Sequence, residues 1–470
     1  MTAEPTATSP QSSSNHGPSG KRLLLSFLVS SIAALMLSSC ASSLATSTPR
    51  VIGKPDQLCN GGKGFHITTS AGVLGSGATA SSTTGLSLVP GSVIETSNGH
   101  TLLSFNSIDA SFNSGAVRIL SLTSDCAIDE SFGNHGILDP SVTGTSAPLT
   151  TFGLAKGLGG NFFVISNGKD NWLIGEFTSS GTIDNNFGNQ GWVSVIPPAG
   201  YPGYEPSISD LQVTKNGTIL ILGDNAEPHV DVQPYLYELN ANGSVNTYFG
   251  SGGHVALFST FVYAGQLLLQ PNGDIVTTGQ SGGAGCYSMP FEWLNPTGYP
   301  LLSIDSTFNA SRPIAVRSEV FWGSIFPDQR GGVGIVGLSA SCDISPSHAS
   351  SEIQEFHSSG MPLNSFGEHG TVKISTPNPY DFDFSATTLP NHHLVVESYE
   401  DESSTKVNIR DFDENGHAVI KFGYNGLMKL RVPSLLTTYA GPSNVVTAAR
   451  GDIGLLIPVK NGLTFKEIIG

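Results

Sequence analysis

A short phrase returns seven times along this chain at roughly sixty-residue spacing, and it constrains the fold more than any other feature. Its clearest copies are Asp129-x-x-Phe132-Gly133-x-x-Gly136, Asp184-x-x-Phe187-Gly188-x-x-Gly191 and Asn246-x-x-Phe249-Gly250-x-x-Gly253. Phe366-Gly367-x-x-Gly370 and Phe422-Gly423-x-x-Gly426 repeat its second half, and Asp305-x-x-Phe308 is a worn copy. A seventh, from Cys59 to Gly64, has lost the phenylalanine. Self-similarity at a fixed period means supersecondary units that bury their apolar faces only against one another. Because the repeat runs through almost all of the 470 residues, the expectation is one closed body.

One unit extends from about Ser207 to Leu257. Ile208, Leu211 and Val213 mark a first strand, and Asn216-Gly217 turns the chain. Asn-Gly between apolar runs predicts a tight hairpin in which both central residues adopt positive φ. Ile219 to Leu222 form a second strand, and a polar connection leads to a third at Tyr235, Tyr237 and Leu239. Asn242-Gly243 turns again, and a fourth strand from Val245 to Val255 carries the phrase. We label these strands A to D. Four-stranded units repeated radially are β-propeller blades, so the expected fold is all-β.

The ends complete the count. Val445 to Gly470 contains A-, B- and C-like strands, whereas Asp56 to Thr68 supplies only the phrase that should follow them. A seventh blade shared between the N-terminal strand and the C-terminal hairpin would close the ring and remove exposed edges. Ile108-Asp109-x-x-Phe112 mimics the phrase but precedes Asp129 by only about twenty residues, so it reads as an internal hairpin.

The arrangement resembles the bacterial delta-60 repeat family, whose units look like Q-P-x-G-x-I-x-x-x-G followed by G-x-L-D-x-x-F-G-x-x-G. Gln270-Pro271-Asn272-Gly273-Asp274-Ile275 with Gly279 matches the first half, and Gly181-Thr182-Ile183-Asp184 leading to Phe187-Gly188 matches the second. The resemblance covers residues 53–470 and implies a propeller, with no shared catalytic set. Phenylalanine is then expected to pack between blades, and glycine to allow close approach or positive φ.

Lys21-Arg22 precede an apolar stretch from Leu23 to about Leu37, which reads as an export signal too short to favour a membrane span. Leu37-Ser38-Ser39-Cys40 resembles a bacterial lipobox, implying a signal peptide over 1–39, acylation (palmitate among the chains) at Cys40 and a lipoprotein held on the cell membrane, facing outside the cytoplasm. Residues 40–52 read as a flexible tether. Net charge is −16, or −17 from Cys40 onward, which repels phosphate backbones and argues against nucleic acid. Four further cysteines allow three pairings in an oxidising compartment. Cys286 and Cys342 fall at comparable places in consecutive repeats, so the expected pairs are Cys286–Cys342 and Cys59–Cys126.

Connections in such blades divide by face. A–B and C–D turns are short and Gly-rich here, whereas B–C and D–A connections are long and variable, which makes theirs the expected working face. Its D–A connections carry Tyr201, Tyr204, Tyr263, Trp322 and Tyr380, flat amphipathic side chains suited to a glycan or a protein partner, or to plugging the channel mouth. Asp381 and Asp383 flank Phe382 and are candidates for the axial funnel; Asp224, Glu227 and Asp231 are among the acids of the B–C connections. Asp411-x-Asp413-x-Asn415-Gly416 reproduces the first half of a calcium loop, but Phe422 stands where the closing Glu is required. Gly332-x-Gly334-x-x-Gly337 matches a dinucleotide fingerprint on paper yet opens no helix, so no nucleotide is expected. No nucleophile motif stands out, and no cofactor is expected beyond an optional calcium. The expectation is a non-catalytic binding protein, with a calcium- or metal-assisted hydrolase or lyase at the funnel as the alternative.

Overall fold

The computed structural model describes residues 65–68, 87–108, 114–140, 152–168, 170–197, 206–224, 233–257, 262–283, 286–288, 291–304, 320–328, 330–339, 350–374, 382–399, 406–431, 444–448, 451–459 and 462–469. Within Val51–Gly470 these form seven antiparallel sheets. Blade 1 pairs Ser87–Glu95, Thr101–Ile108, Ser114–Leu122 and Ile137–Leu138 in that order; blades 2 to 6 repeat the plan. Blade 7 takes its A, B and C strands from Asn444–Thr447, Ile453–Val459 and Gly462–Ile468. Its outer strand is Phe65–Thr68, which pairs with Gly462 to Phe465. Strands from both ends therefore share one sheet, as the repeat count requires.

Each A strand contacts the A strand of the next blade, and that of blade 7 contacts that of blade 1, which closes the ring with the A strands innermost. The described core divides into seven clusters, one per junction. Alternation explains the division: on the B strand of blade 3, Ile219 and Ile221 pack toward blade 2 whereas Leu220 and Leu222 pack toward blade 4. A strand buried on both faces carries an unbroken apolar run, and Ile219 to Leu222 is one. Ile108 pairs with Ser114, so 109–113 is a B–C connection and no eighth blade exists at that point. Gly334 and Gly337 lie within the strand Val333–Ser339, not ahead of a helix.

The turn chemistry differs from expectation. In the A–B turn of blade 3, the Thr214 N–H donates to the Thr218 carbonyl and the Gly217 N–H to the Thr214 carbonyl. Gly217 has φ 84°, whereas Asn216 is absent from the positive-φ residues. This is a three-residue loop, a type I turn followed by a left-handed bulge residue, which needs one positive φ and not two. The same bond pair closes the C–D turns at Thr178–Thr182, Asn240–Ser244, Asn295–Tyr299, His357–Met361 and Asp413–His417.

In its five clear copies the phrase is a compact loop ahead of a short D strand, not part of it; in blade 3 the D strand is only His254–Ala256. In blade 4 the D strand Pro300–Ile304 follows the C–D turn directly, so the worn copy Asp305-x-x-Phe308 comes after it, outside the described residues. Phe132, Phe187, Phe249, Phe366 and Phe422 are all fully buried, each in a cluster shared by two blades. The following glycine reaches across the junction: the Gly133, Gly188, Gly250 and Gly367 N–H groups donate to the carbonyls of Ser180, Asn242, Thr297 and Asn415 in the next blade's C–D turn (2.8–2.9 Å). The repeat is thus the joint between wedges.

Candidate binding face

The inner strands of five blades are broken by a bulge, at Pro90/Val93, Ile208/Asp210, Ala264/Leu267, Phe321/Ser324 and Phe382/Ser385. A bulge leaves backbone donors without a ladder partner, and side chains supply acceptors here. Ser104 Oγ accepts the Ser92 N–H (2.6 Å) and Thr278 Oγ1 the Gln266 N–H (2.9 Å) within their own blades. Between blades, Asp210 Oδ2 accepts the Leu267 N–H (2.8 Å) and Gln266 Oε1 the Ile325 N–H (2.7 Å). Asp210 and Gln266 occupy matching registers, so successive inner strands are pinned by the same device. Burial pushes the Asp210 carboxyl up to about 6, against the lowering effect of the Leu267 and Leu211 N–H donors.

The rim on the B–C and D–A side is anchored likewise. Asn167, last residue of the blade 2 B strand, accepts the Ile208 N–H through Oδ1 (2.9 Å). Asp224, last residue of the blade 3 B strand, accepts the Ala264 N–H through Oδ2 (2.9 Å). Asp224 is therefore a buried strand residue that holds the next blade, not a solvated loop acid. Both contacts fix the start of an A strand, immediately after a D–A connection.

Tyr263 and Trp322 correct the loop assignment, and Asp383, the funnel candidate, joins them on an inner strand. They lie in the inner strands Val262–Leu269, Val320–Pro327 and Phe382–Thr388. Trp322 and Asp383 stand at matching bulge positions of adjacent blades. Tyr263 precedes its bulge and pairs with Gln280. The three share the axial end of the long-connection face. Tyr201, Tyr204, Tyr380 and Asp381 lie outside the described residues, as do Cys40, Cys59 and Cys342; Cys286 lies in Cys286–Ser288, a short strand added to the end of the blade 4 B strand.

Asp411, Asp413 and Asn415 serve the C–D turn of blade 6. Asp413 Oδ1 accepts the N–H groups of Asn415 and His417 (2.9 Å each). Burial raises the Asp413 carboxyl, but the His417 and Asn415 donors outweigh it and hold it below its usual range. Asp411 is buried against His393 Nδ1 (3.1 Å). Burial, opposed by His393, pushes it up to about 6. Among the described residues no group of three or more His, Cys, Asp or Glu side chains is placed to hold a metal ion.

Two features escaped the sequence. Asp411 shares its register, next to last in the C strand, with Glu176, Glu238, Glu355 and Glu467, a girdle of carboxylates behind the short turns. Arg330 bridges two acids there, with Nε 3.1 Å from Asp328 and Nη2 2.7 Å from Glu355. Second, Tyr248 and Tyr424, at variable positions of the phrase, are 91% and 82% exposed on the short-turn side. An aromatic at a free position of the phrase was the available signal.

No protein-family model matches the chain, and no curated protein does. Among solved structures it is similar to the β-propeller domain of the Trilobed protease from Pyrococcus furiosus, at 9% identity over 81% of this chain and 93% of that one, TM-score 0.44. It is also similar to the polysaccharide lyase Uly1, at 12% identity over 90% and 98%, TM-score 0.43. A third likeness is to an ulvan lyase of family PL25, at 11% identity over 80% and 91%, TM-score 0.42. The seven-bladed ring itself follows from the order of strands in the seven sheets and from the contacts between successive inner strands.

Proposed function

We propose that this protein is a lipid-anchored propeller of the cell envelope that captures a protein or a glycan on the face from which the long connections emerge. The observation that carries the reading is the asymmetry of the two faces. On one, A–B and C–D turns close in near-identical five-residue frames such as Thr96–His100, Thr214–Thr218 and Asp413–His417. On the other, segments such as 225–232, 305–319, 340–349 and 432–443 join the strands. Variable segments on a rigid, side-chain-pinned rim are where recognition concentrates.

The proposal is a binding role, and a calcium- or metal-assisted hydrolase or lyase at the funnel is its alternative. The anchor and the export signal rest on Lys21-Arg22, the apolar stretch and Cys40, and kinship with the delta-60 repeat on the quoted phrases. Affinity capture on intact cells with the purified chain from Cys40 onward tests the binding reading. Trp322→Ala combined with Tyr204→Ala should abolish the captured species at unchanged Tm; an unaltered capture profile overturns the site. Cys40→Ala should move the protein from the membrane to the soluble fraction, and retention in the membrane overturns the anchor.

A further inference from the structure

The junction between blades 7 and 1 is built from both ends of the chain, and its joint differs from the others. At four described junctions the phrase phenylalanine lies against the turn glycine of the next blade: Phe132 on Gly181, Phe187 on Gly243, Phe249 on Gly298 and Phe366 on Gly416. The strand register locates that phenylalanine, which always stands six residues before a particular outer-strand residue. Leu138 pairs with Ile119, Val193 with Ile174, Val255 with Leu236 and Val372 with Ile353; counting back six from each reaches Phe132, Phe187, Phe249 and Phe366. In blade 7 the matching C-strand residue is Phe465, paired with Leu456 on one side and with Phe65 on the other. Counting back six from Phe65 reaches Cys59.

The other half of the joint is described directly. The blade 1 C–D turn spans Thr123–Ala127 with the same bond pair as the other turns, and Cys126 stands where they have glycine. Its φ is 61°, a conformation that costs a non-glycine residue on the order of 1–2 kcal/mol. Cys126 is disulfide-bonded and buried in the cluster that joins Ile67, Leu463 and Phe465 of blade 7 to Leu103 and Leu120 of blade 1.

We infer that Cys126 is bonded to Cys59, and that this disulfide stands in for the phenylalanine–glycine contact at the seam. The remaining cysteines of the propeller do not fit. Cys286 lies on blade 4, and Cys342 follows Ser339 of blade 5 by three residues, a reach of about 10 Å from the opposite face of a distant blade. The bond leaves the C-terminal hairpin untethered. It holds Phe65–Thr68 against blade 1 as a preformed edge, on which Gly462–Ile468 docks to complete the ring. In forming it, two thiols lose two protons and two electrons to a second disulfide, which is reduced to its dithiol. Such a brace persists in an oxidising compartment and opens in a reducing one, and it is independent of which face binds a ligand.

Tryptic mapping of the whole oxidised protein tests the pairing. Val51–Lys63 should be found joined to Ile119–Lys156 and the two should separate on reduction. A free thiol at Cys126, or its linkage to Cys40, Cys286 or Cys342, overturns the inference. Cys59→Ala should lower Tm by about 5 °C, and Cys59→Phe with Cys126→Gly, which rebuilds the joint used elsewhere, should recover at least half of that loss. A double variant no more stable than Cys59→Ala shows that the bond does not replace the packing contact.

Discussion

The ring of Phe187 lies so close to Gly243 of the next blade that a Cβ on that glycine would sit 3.0 Å from its Cε2. Gly243 also has φ 84°, and the neighbouring Asn242 carbonyl receives the Gly188 N–H. One glycine thus answers three demands: a left-handed turn, an aromatic packed on its surface and a backbone bond across the junction.

The two costs of replacing such a glycine are separable. Gly331 has φ 88°, and a methyl group placed on it would meet no atom within 4 Å, so Gly331→Ala should cost only the backbone strain, about 1 kcal/mol. Gly243→Ala adds overpacking against Phe187 and Val193 and should cost about 3 kcal/mol. Equal losses in urea unfolding would show that the aromatic contact is not tight.

Glu355 predicts a pH dependence. Burial, then the nearby Asp328 charge, push its carboxyl up to about 8, with Arg330 opposing. A raised carboxyl keeps its proton in the folded state while the unfolded chain has released it. Its contribution to stability is therefore full below about pH 4.5 and declines as pH rises toward 8. Asp210 and Asp411, each at about 6, add to the decline at the acidic end. Glu355→Gln should flatten the curve between pH 6 and 8, gaining about 2 kcal/mol relative to the parent at pH 8. Parallel curves for the two proteins would contradict the assignment.

Blade number, closure and junction packing were legible because the phrase is the joint: the buried Phe132 and Phe187 and the glycines after them recur for a mechanical reason. Turn type was not legible, since Asn-Gly suits two hairpin geometries and the choice depends on how Thr214 and Thr218 face each other. Trp322 reads as a loop residue because a bulge interrupts the two-residue alternation that marks a strand. Asp210 and Gln266 gave no signal at all; their roles arise only when two bulged strands from different repeats lie side by side.

The rim anchors are interchangeable in kind, Asn167 in blade 2 and Asp224 in blade 3. Asn167→Asp retains an acceptor for the Ile208 N–H and should change stability by less than about 0.5 kcal/mol. Asn167→Ala leaves that donor without its partner and should cost about 1–2 kcal/mol. Faster hydrogen exchange at the Ile208 amide in the alanine variant alone would locate the effect; equal exchange in both would refute the anchor.

The choice of face yields the sharpest comparison. Tyr248 and Tyr424 are the most exposed large apolar side chains among the described residues, and they lie on the short-turn side. On exposure alone they would be the better anchors for a partner. Capture is instead proposed on the face of Trp322, where side chains from Asn167 and Asp224 fix the strands that begin after the long connections. Tyr248→Ala combined with Tyr424→Ala should therefore leave capture on intact cells within about twofold of the parent, under about 0.5 kcal/mol. Loss of capture in that variant, with Trp322→Ala retaining it, would move the working surface to the opposite side of the ring.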